Sequence, residues 1–231
     1  MDSHISGSQS KQMIQTGIIP QHGATRISLV RHASVHNPSN IFYGRLPGFS
    51  ISKRGRLEAA CTAQALKELA IEEIVSSPLL RCRQTAAEIL KHHHHLKLKQ
   101  SRLITEVLTP FQGQSADMVD SRNGDVYSGV DSRYEQPEDI LQRVQKFIFR
   151  IRRTFPEKHV VAVTHGDIIL FMMLWASHLS ATPLNKKKFT TLGILKEYPA
   201  VSSITTFSYS TSTKDEHPSI VYFNPTIHLS E

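Results

Sequence analysis

The order of elements along the chain predicts an α/β fold: a three-layer α/β/α sandwich with a mostly parallel central sheet and a C-terminal hairpin at one edge. Two observations carry this expectation. Apolar runs at residues 27–30 and 160–163 are too short for helices and do not alternate, as strands covered on both faces do. Segments with apolar residues at helical spacing stand between such runs. The tail breaks the pattern with two β-prone segments, "SSITTFSYSTS" and "SIVYFNP", separated by the polar "TKDEH".

Residues 1–24 are polar, lack a continuous apolar stretch behind a basic start, and are expected to be a disordered leader before a single domain over 25–231. The first strand, within "ISLVRHAS", ends in Arg31 and His32. A helix follows, with Ser52 as its cap and Leu57, Ala60, Cys61, Ala65, Leu66 and Leu69 near helical spacing. "IEEIVSS" is the second strand, and Ser77-Pro78 is the cap and first-turn pair of the next helix, whose first turn holds Arg81. A third strand is expected over 97–103, with Glu106 just beyond it. Residues 109–136 have little periodicity and read as a long surface excursion. Helical spacing returns in "PEDILQRVQKFIFRIRRTF", and the strand at 160–163 leaves through Thr164, His165 and Gly166 into an apolar helix. That helix, at 168–176, is well short of the ~20 residues a membrane span needs, so no membrane association is expected.

Composition narrows the partners. The 27 Lys and Arg against 20 Asp and Glu give a net charge of +7, which favours anions. The basic residues are scattered in twos and threes without a reader motif, so nucleic acid is not expected. Two cysteines, Cys61 and Cys82, make no disulfide framework and suit a cytoplasmic setting. Neither begins a C-x5-R sequence, which argues against a cysteine phosphatase. The histidine run at 92–95 is read as a solvated helix end, and the hairpin would offer an edge on which a homodimer could form.

In a parallel sheet, residues just past the carboxyl ends of strands share one crevice. Here they are Arg31, His32, Arg81 and His165. Two guanidiniums, two imidazoles and the facing helix N-termini make a cradle for phosphate. An imidazole with one nitrogen held as N–H can attack phosphorus through the other. The leaving oxygen then needs a proton; Glu106 is the best-placed acid, with Glu135, Glu138 and Asp139 as alternatives.

"LVRHAS", "SSPLLRCRQTA", "LITEVL" and "VTHGD" resemble, in order, the motifs of the histidine phosphatase superfamily in its phosphoglycerate mutase-like branch. The resemblance implies His32 as the nucleophile that becomes phosphohistidine, and Arg31, Arg81 and His165 as the phosphate pocket. It implies Glu106 as general acid and then base, with no cofactor and no metal. Departures stand beside it. Ala33 replaces the usual glycine, Val35 the usual threonine, and Asn37 arrives one residue early, though it is still carried as a phosphate ligand. Arg45, in a loop lacking the usual aspartate, and Gly166, which permits close backbone approach, are carried as substrate-binding positions. The implied activity is hydrolysis of a small phosphorylated substrate, with phosphoglycerate mutase-type transfer and a catalytically silent binding relative as alternatives. The excursion after Glu106 holds only Arg122 and Arg133, which favours water as the phosphoryl acceptor.

Overall fold

The computed structural model describes residues 14–15, 23–191 and 198–230. Its strands are β1 (Ile14–Gln15), β2 (Thr25–Arg31), β3 (Ile71–Ser76), β4 (Leu98–Gln100), β5 (His159–Thr164), β6 (Ile204–Tyr209) and β7 (Ser219–Phe223). Its helices are α1 (Lys53–Leu66), α2 (Leu80–Leu90), α3 (Ala116–Ser121), α4 (Pro137–Thr154), α5 (Gly166–Ala176) and α6 (Lys188–Thr191). They build a seven-stranded sheet in the order β1-β7-β6-β2-β5-β3-β4. The pairs β2–β5, β5–β3, β3–β4 and β1–β7 are parallel, and β6 runs antiparallel to both β2 and β7.

Strand β5 is central because all six of its residues are buried, and its side chains divide between two cores by the period of two that a strand imposes. Val161 and Val163 join Val30, Ile74, Ala63, Leu66, Ala86 and Ile89 beneath α1 and α2. Val160 and Ala162 join Ile27, Leu29, Val144, Phe147, Ile148 and Ile169 beneath α4 and α5. The fold is therefore α/β with helices on both faces of a mostly parallel sheet. Apart from Asp167 in its first turn, helix α5 is apolar all round, and it is buried except for the partly exposed Trp175. Among the described residues no helix is long and apolar enough to cross a membrane.

Several local expectations are corrected. Helix α2 begins at Leu80 with Leu79 as its cap residue, not at Ser77-Pro78, and the Ser77 hydroxyl instead meets His165. The third strand is only Leu98–Gln100, followed by a 3-10 turn at Arg102–Ile104. The excursion contains a short helix, α3. Within the expected leader, Ile14 and Gln15 pair with Ile220 and Val221 and cover the outer side of β7, so the hairpin does not leave that edge open there. Residues 1–13 and 16–22 lie outside the described residues. In the histidine run His93 is buried, while His92, His94 and His95 are exposed.

Helix α1 fixes the loop that follows β2. Ser52 caps it as expected, accepting a hydrogen bond from the Gly55 amide at 2.9 Å. A Cβ at Gly55 would lie 2.2 Å from the Ser34 carbonyl oxygen, so glycine is needed where helix and loop touch. Glu58 then accepts bonds from the Ser34 amide and hydroxyl, at 2.8 and 2.9 Å.

Across the sheet, the His159 ring meets Ser28 Oγ at 2.8 Å, and Ser28 meets Thr206 at 2.7 Å. Burial, and then the charge of Arg26, pulls the His159 pKa down to about 4. The unfolded chain therefore takes up this proton more readily, so stability is full above the ordinary imidazole pKa and falls as pH drops from ~6.5 toward 4. The expected slope is up to ~1.4 kcal/mol per pH unit for this one group. His159→Gln should flatten denaturant-measured stability over that interval; an unchanged slope would contradict the assignment.

Candidate active site

The carboxyl ends of β2, β3 and β5 bring Arg31, His32, Arg81 and His165 together, as the parallel topology requires. His32 is held by its amide bonding to the Thr164 carbonyl at 2.9 Å. Its Nδ1 lies 2.9 Å from the Ala33 carbonyl oxygen, which can only accept, so the proton sits on Nδ1 and Nε2 keeps its lone pair. Burial, followed by the positive field of Arg81, then His165 and Arg31, holds the imidazole pKa well below its ordinary value. His32 is a neutral base at pH 7 on the wall of a cavity of about 520 Å³.

Arg81 is buried beside the His165 ring, with its NH2 2.7 Å from the Gly44 carbonyl and 3.6 Å from Glu106 Oε2. Its guanidinium stacks on Tyr43 at 4.7 Å. The Arg31 NH1 donates to the Pro199 carbonyl at 2.6 Å. The Nε atoms of both arginines are buried without a partner among the described residues. An unmet buried donor costs ~1–3 kcal/mol.

His165 takes its place from three neighbours. Its Nε2 is 2.8 Å from Ser77 Oγ, its Nδ1 is 3.3 Å from Glu106 Oε2, and its ring centroid lies 5.3 Å from that of His32. Burial drives its pKa down to about 4, although Glu106 pulls upward. Cys82 packs against the same ring, and burial pushes its thiol up to about 12, which makes it a packing residue rather than a nucleophile.

Of the four candidate acids only Glu106 lines the cavity. Burial alone would raise its pKa, but His165, Arg81 and the Val107 amide together hold the carboxyl well below the usual range. Glu135 instead bridges Arg45 and Arg143, at 2.7 and 2.8 Å. Those two arginines also bond the Glu106 carbonyl, so the trio fixes the chain that carries Glu106. Asp139 accepts from the Gln136 amide at the start of α4.

Four other expected positions sit differently from their assigned roles. Arg81 and His165, carried as phosphate ligands, stand next to Glu106 and do not themselves line the cavity. Arg45 does not line the cavity and braces Glu106 from behind. Asn37 lines it, but both ends of its amide bond the backbone of Ile41. Gly166 lines it too, and the Tyr198 ring lies against its Cα: a Cβ there would meet that ring at 2.1 Å. Sequence reasoning missed Tyr198, Lys186, Tyr43, Ser77 and Arg143 as parts of the site, and carried Glu135 only as an alternative acid. Asp167 stood in the quoted "VTHGD" without a role.

The His32, Glu106 and His165 ligand atoms lie within 4.8 Å of one another, a set whose residue types could hold a divalent cation. The Arg81 guanidinium, 3.6 Å from the same carboxylate, makes the site electrostatically poor for a cation and good for an anion. The chemistry available is thus a neutral imidazole facing a cationic anion pocket, with a carboxyl group opposite.

Comparison with known proteins gives the family and the fold. The sequence model of the histidine phosphatase superfamily (branch 1) matches residues 27–197. An uncharacterised protein of Mycobacterium tuberculosis is 48% identical over 69 residues, 30% of this chain and only 34% of that protein's length. Phosphoserine phosphatase 1 of Hydrogenobacter thermophilus is 28% identical over 153 residues, covering 61% of this chain and 70% of that protein. The solved structure of mycobacterial glucosyl-3-phosphoglycerate phosphatase superposes with a TM-score of 0.70 at 20% identity, over 87% of this chain and 99% of that one. Phosphoserine phosphatase from Entamoeba histolytica, in complex with 3-phosphoglyceric acid, does so with a TM-score of 0.68 at 21% identity, over 89% and 99%. The two structures share the fold, and the family match spans well over half of the sequence. The chain belongs to the histidine phosphatase superfamily, branch 1.

Proposed function

We propose that the protein is a phosphomonoester hydrolase that works on a small phosphorylated metabolite through a phosphohistidine on His32. The observation that carries this reading is the His32 tautomer, with Nδ1 bound to the Ala33 carbonyl and Nε2 left for the cavity. In the first step Nε2 bonds to phosphorus, the bond from phosphorus to the ester oxygen breaks, and Glu106 gives that oxygen a proton. In the second, Glu106 takes a proton from water, the water oxygen bonds to phosphorus, and the N–P bond breaks to free phosphate and His32.

Glu106 is ionised in the empty site, whereas the first step needs it protonated. Substrate supplies the change. A phosphate group sets negative charge beside the carboxylate and competes with it for the Arg81 guanidinium, and both effects raise the carboxyl pKa. The proton arrives with a monoanionic ester or from solvent.

Hydrolysis is preferred over mutase-type transfer because no arginine of the excursion reaches the cavity wall. Arg122 donates to the Asp125 and Ser128 carbonyls, and Arg133 pairs with Asp131 at the surface. A silent binding relative is disfavoured because His32, Glu106 and Arg31, the residues read as nucleophile, acid and anion ligand, all line one cavity. The relatives named for phosphoserine and glucosyl-3-phosphoglycerate support a small ester as substrate without selecting one. The reading needs no metal and places the protein in a reducing cytoplasm, where Cys61 and Cys82 stay as thiols.

The test is incubation with an aryl phosphate, 3-phosphoglycerate and a panel of phosphorylated metabolites, with free phosphate and isomer products both measured. Phosphate release from at least one ester, unaffected by a chelator, is expected. Isomer interconversion without free phosphate would establish the mutase, and ligand binding without any turnover the silent relative.

A further inference from the structure

The chain returns at Tyr198 to cross the anion pocket, and its contacts form a linear series. Lys186 Nζ reaches Asp167 at 2.9 Å. Asp167 accepts from the Tyr127 hydroxyl through Oδ2 and from the Tyr198 hydroxyl through Oδ1, the latter at 2.5 Å. The Tyr198 ring then lies under the Arg31 guanidinium, with 4.9 Å between its centroid and Cζ, while the next residue, Pro199, takes the Arg31 NH1. The ring comes this near only because position 166 has no side chain. Asp167 is buried, and its two oxygens are fully occupied by these three donors, so it is not a ligand in waiting.

We infer that Tyr198 is a positioning residue: anchored by Asp167, it holds the Arg31 guanidinium in the orientation that receives phosphate. This rests on the reading of Arg31 as a phosphate ligand. The physical reason is the freedom of an arginine side chain, whose rotamer entropy binding would otherwise have to remove. A ring under the planar face and a carbonyl on one terminal nitrogen fix the plane before the anion arrives. A wall residue would act differently. It would touch the leaving group, so its removal would matter by an amount that depends on that group and would not matter for inorganic phosphate, which has none.

Binding of inorganic phosphate, measured by calorimetry on the full chain, separates these cases. Tyr198→Leu removes the ring and is expected to raise the dissociation constant on the order of tenfold. Tyr198→Phe keeps the ring but loses the Asp167 anchor, so its affinity should fall between those of the parent and Tyr198→Leu. Asp167→Asn, which loosens the anchor, should weaken binding in the parent but add little in the Tyr198→Leu background. With Arg31→Lys, the further loss from Tyr198→Leu should nearly vanish, because the planar partner is gone. If Arg31→Lys weakens phosphate binding but Tyr198→Leu, folded by circular dichroism, does not, the positioning role is wrong and the anion pocket stands. If Arg31→Lys itself leaves phosphate affinity unchanged, the assignment of Arg31 fails, and the inference with it. Equal losses in Tyr198→Phe and Tyr198→Leu would also overturn it, since the ring would then be irrelevant.

Discussion

His32→Ala is expected to lower turnover of an aryl phosphate by roughly 10⁴-fold or more, the scale on which removal of a covalent nucleophile is felt. Without Nε2, water would have to attack phosphorus in a pocket that holds no other neutral imidazole in the same place. His165 cannot substitute, because both of its ring nitrogens face Ser77, Glu106 and Arg81 rather than open cavity. The loss should fall on kcat. The Arg31 and Arg81 guanidiniums remain, so inorganic phosphate should inhibit the residual activity with a constant within about tenfold of the parent's, as the anion is bound chiefly by charge. Turnover within tenfold of the parent would mean that the bond to phosphorus is made elsewhere.

Glu106→Gln should slow hydrolysis by ~10²-fold to 10⁴-fold for alkyl esters and clearly less for an activated aryl ester. An alkoxide is a poor leaving group that needs a proton in the transition state, whereas a nitrophenolate leaves without one. For the activated ester the variant should instead be limited by the second step, where Glu106 acts as base, and phosphoenzyme should accumulate. Glutamine keeps the volume and can still accept from the Val107 amide at the position where Oε1 does so at 3.0 Å, so folding should be unaffected. Equal slowing of alkyl and aryl esters would remove the acid role and leave Glu106 as a fixed charge between Arg81 and His165. The same comparison for Glu135→Gln should show no leaving-group dependence, because Glu135 acts only through Arg45 and Arg143.

The parallel core was legible because strands buried on both faces leave short unbroken apolar runs, and β5 is the plainest of these. The positions of Arg31, His32, Arg81 and His165 followed from topology alone, since each ends or follows a strand. What escaped depends on contacts between residues distant in sequence. Ser77 was read as a helix cap by its local pattern, yet its hydroxyl is claimed by His165, 88 residues away. By sequence Arg45 reads as a substrate-binding position and Glu135 as an alternative acid, although they meet each other across 90 residues and bond the chain that carries Glu106. The lysine run at 186–188 was read as scattered charge, yet Lys186 is tied to Asp167 at the cavity. The pairing of Ile14 and Gln15 with β7 had no signal in a two-residue stretch. Pairwise chemistry of this kind has no period, so hydrophobic patterning does not reveal it.

The central claim is that one ring nitrogen, Nε2 of His32, carries the phosphoryl group. Rapid quenching of turning-over protein with substrate labelled at phosphorus, followed by peptide mapping under alkaline conditions that preserve phosphoramidates, reads this directly. Label on the peptide containing residue 32, absent in His32→Ala and increased in Glu106→Gln, is the predicted result. Label on any other residue, or hydrolysis at full rate with no labelled protein at any time point, would contradict it.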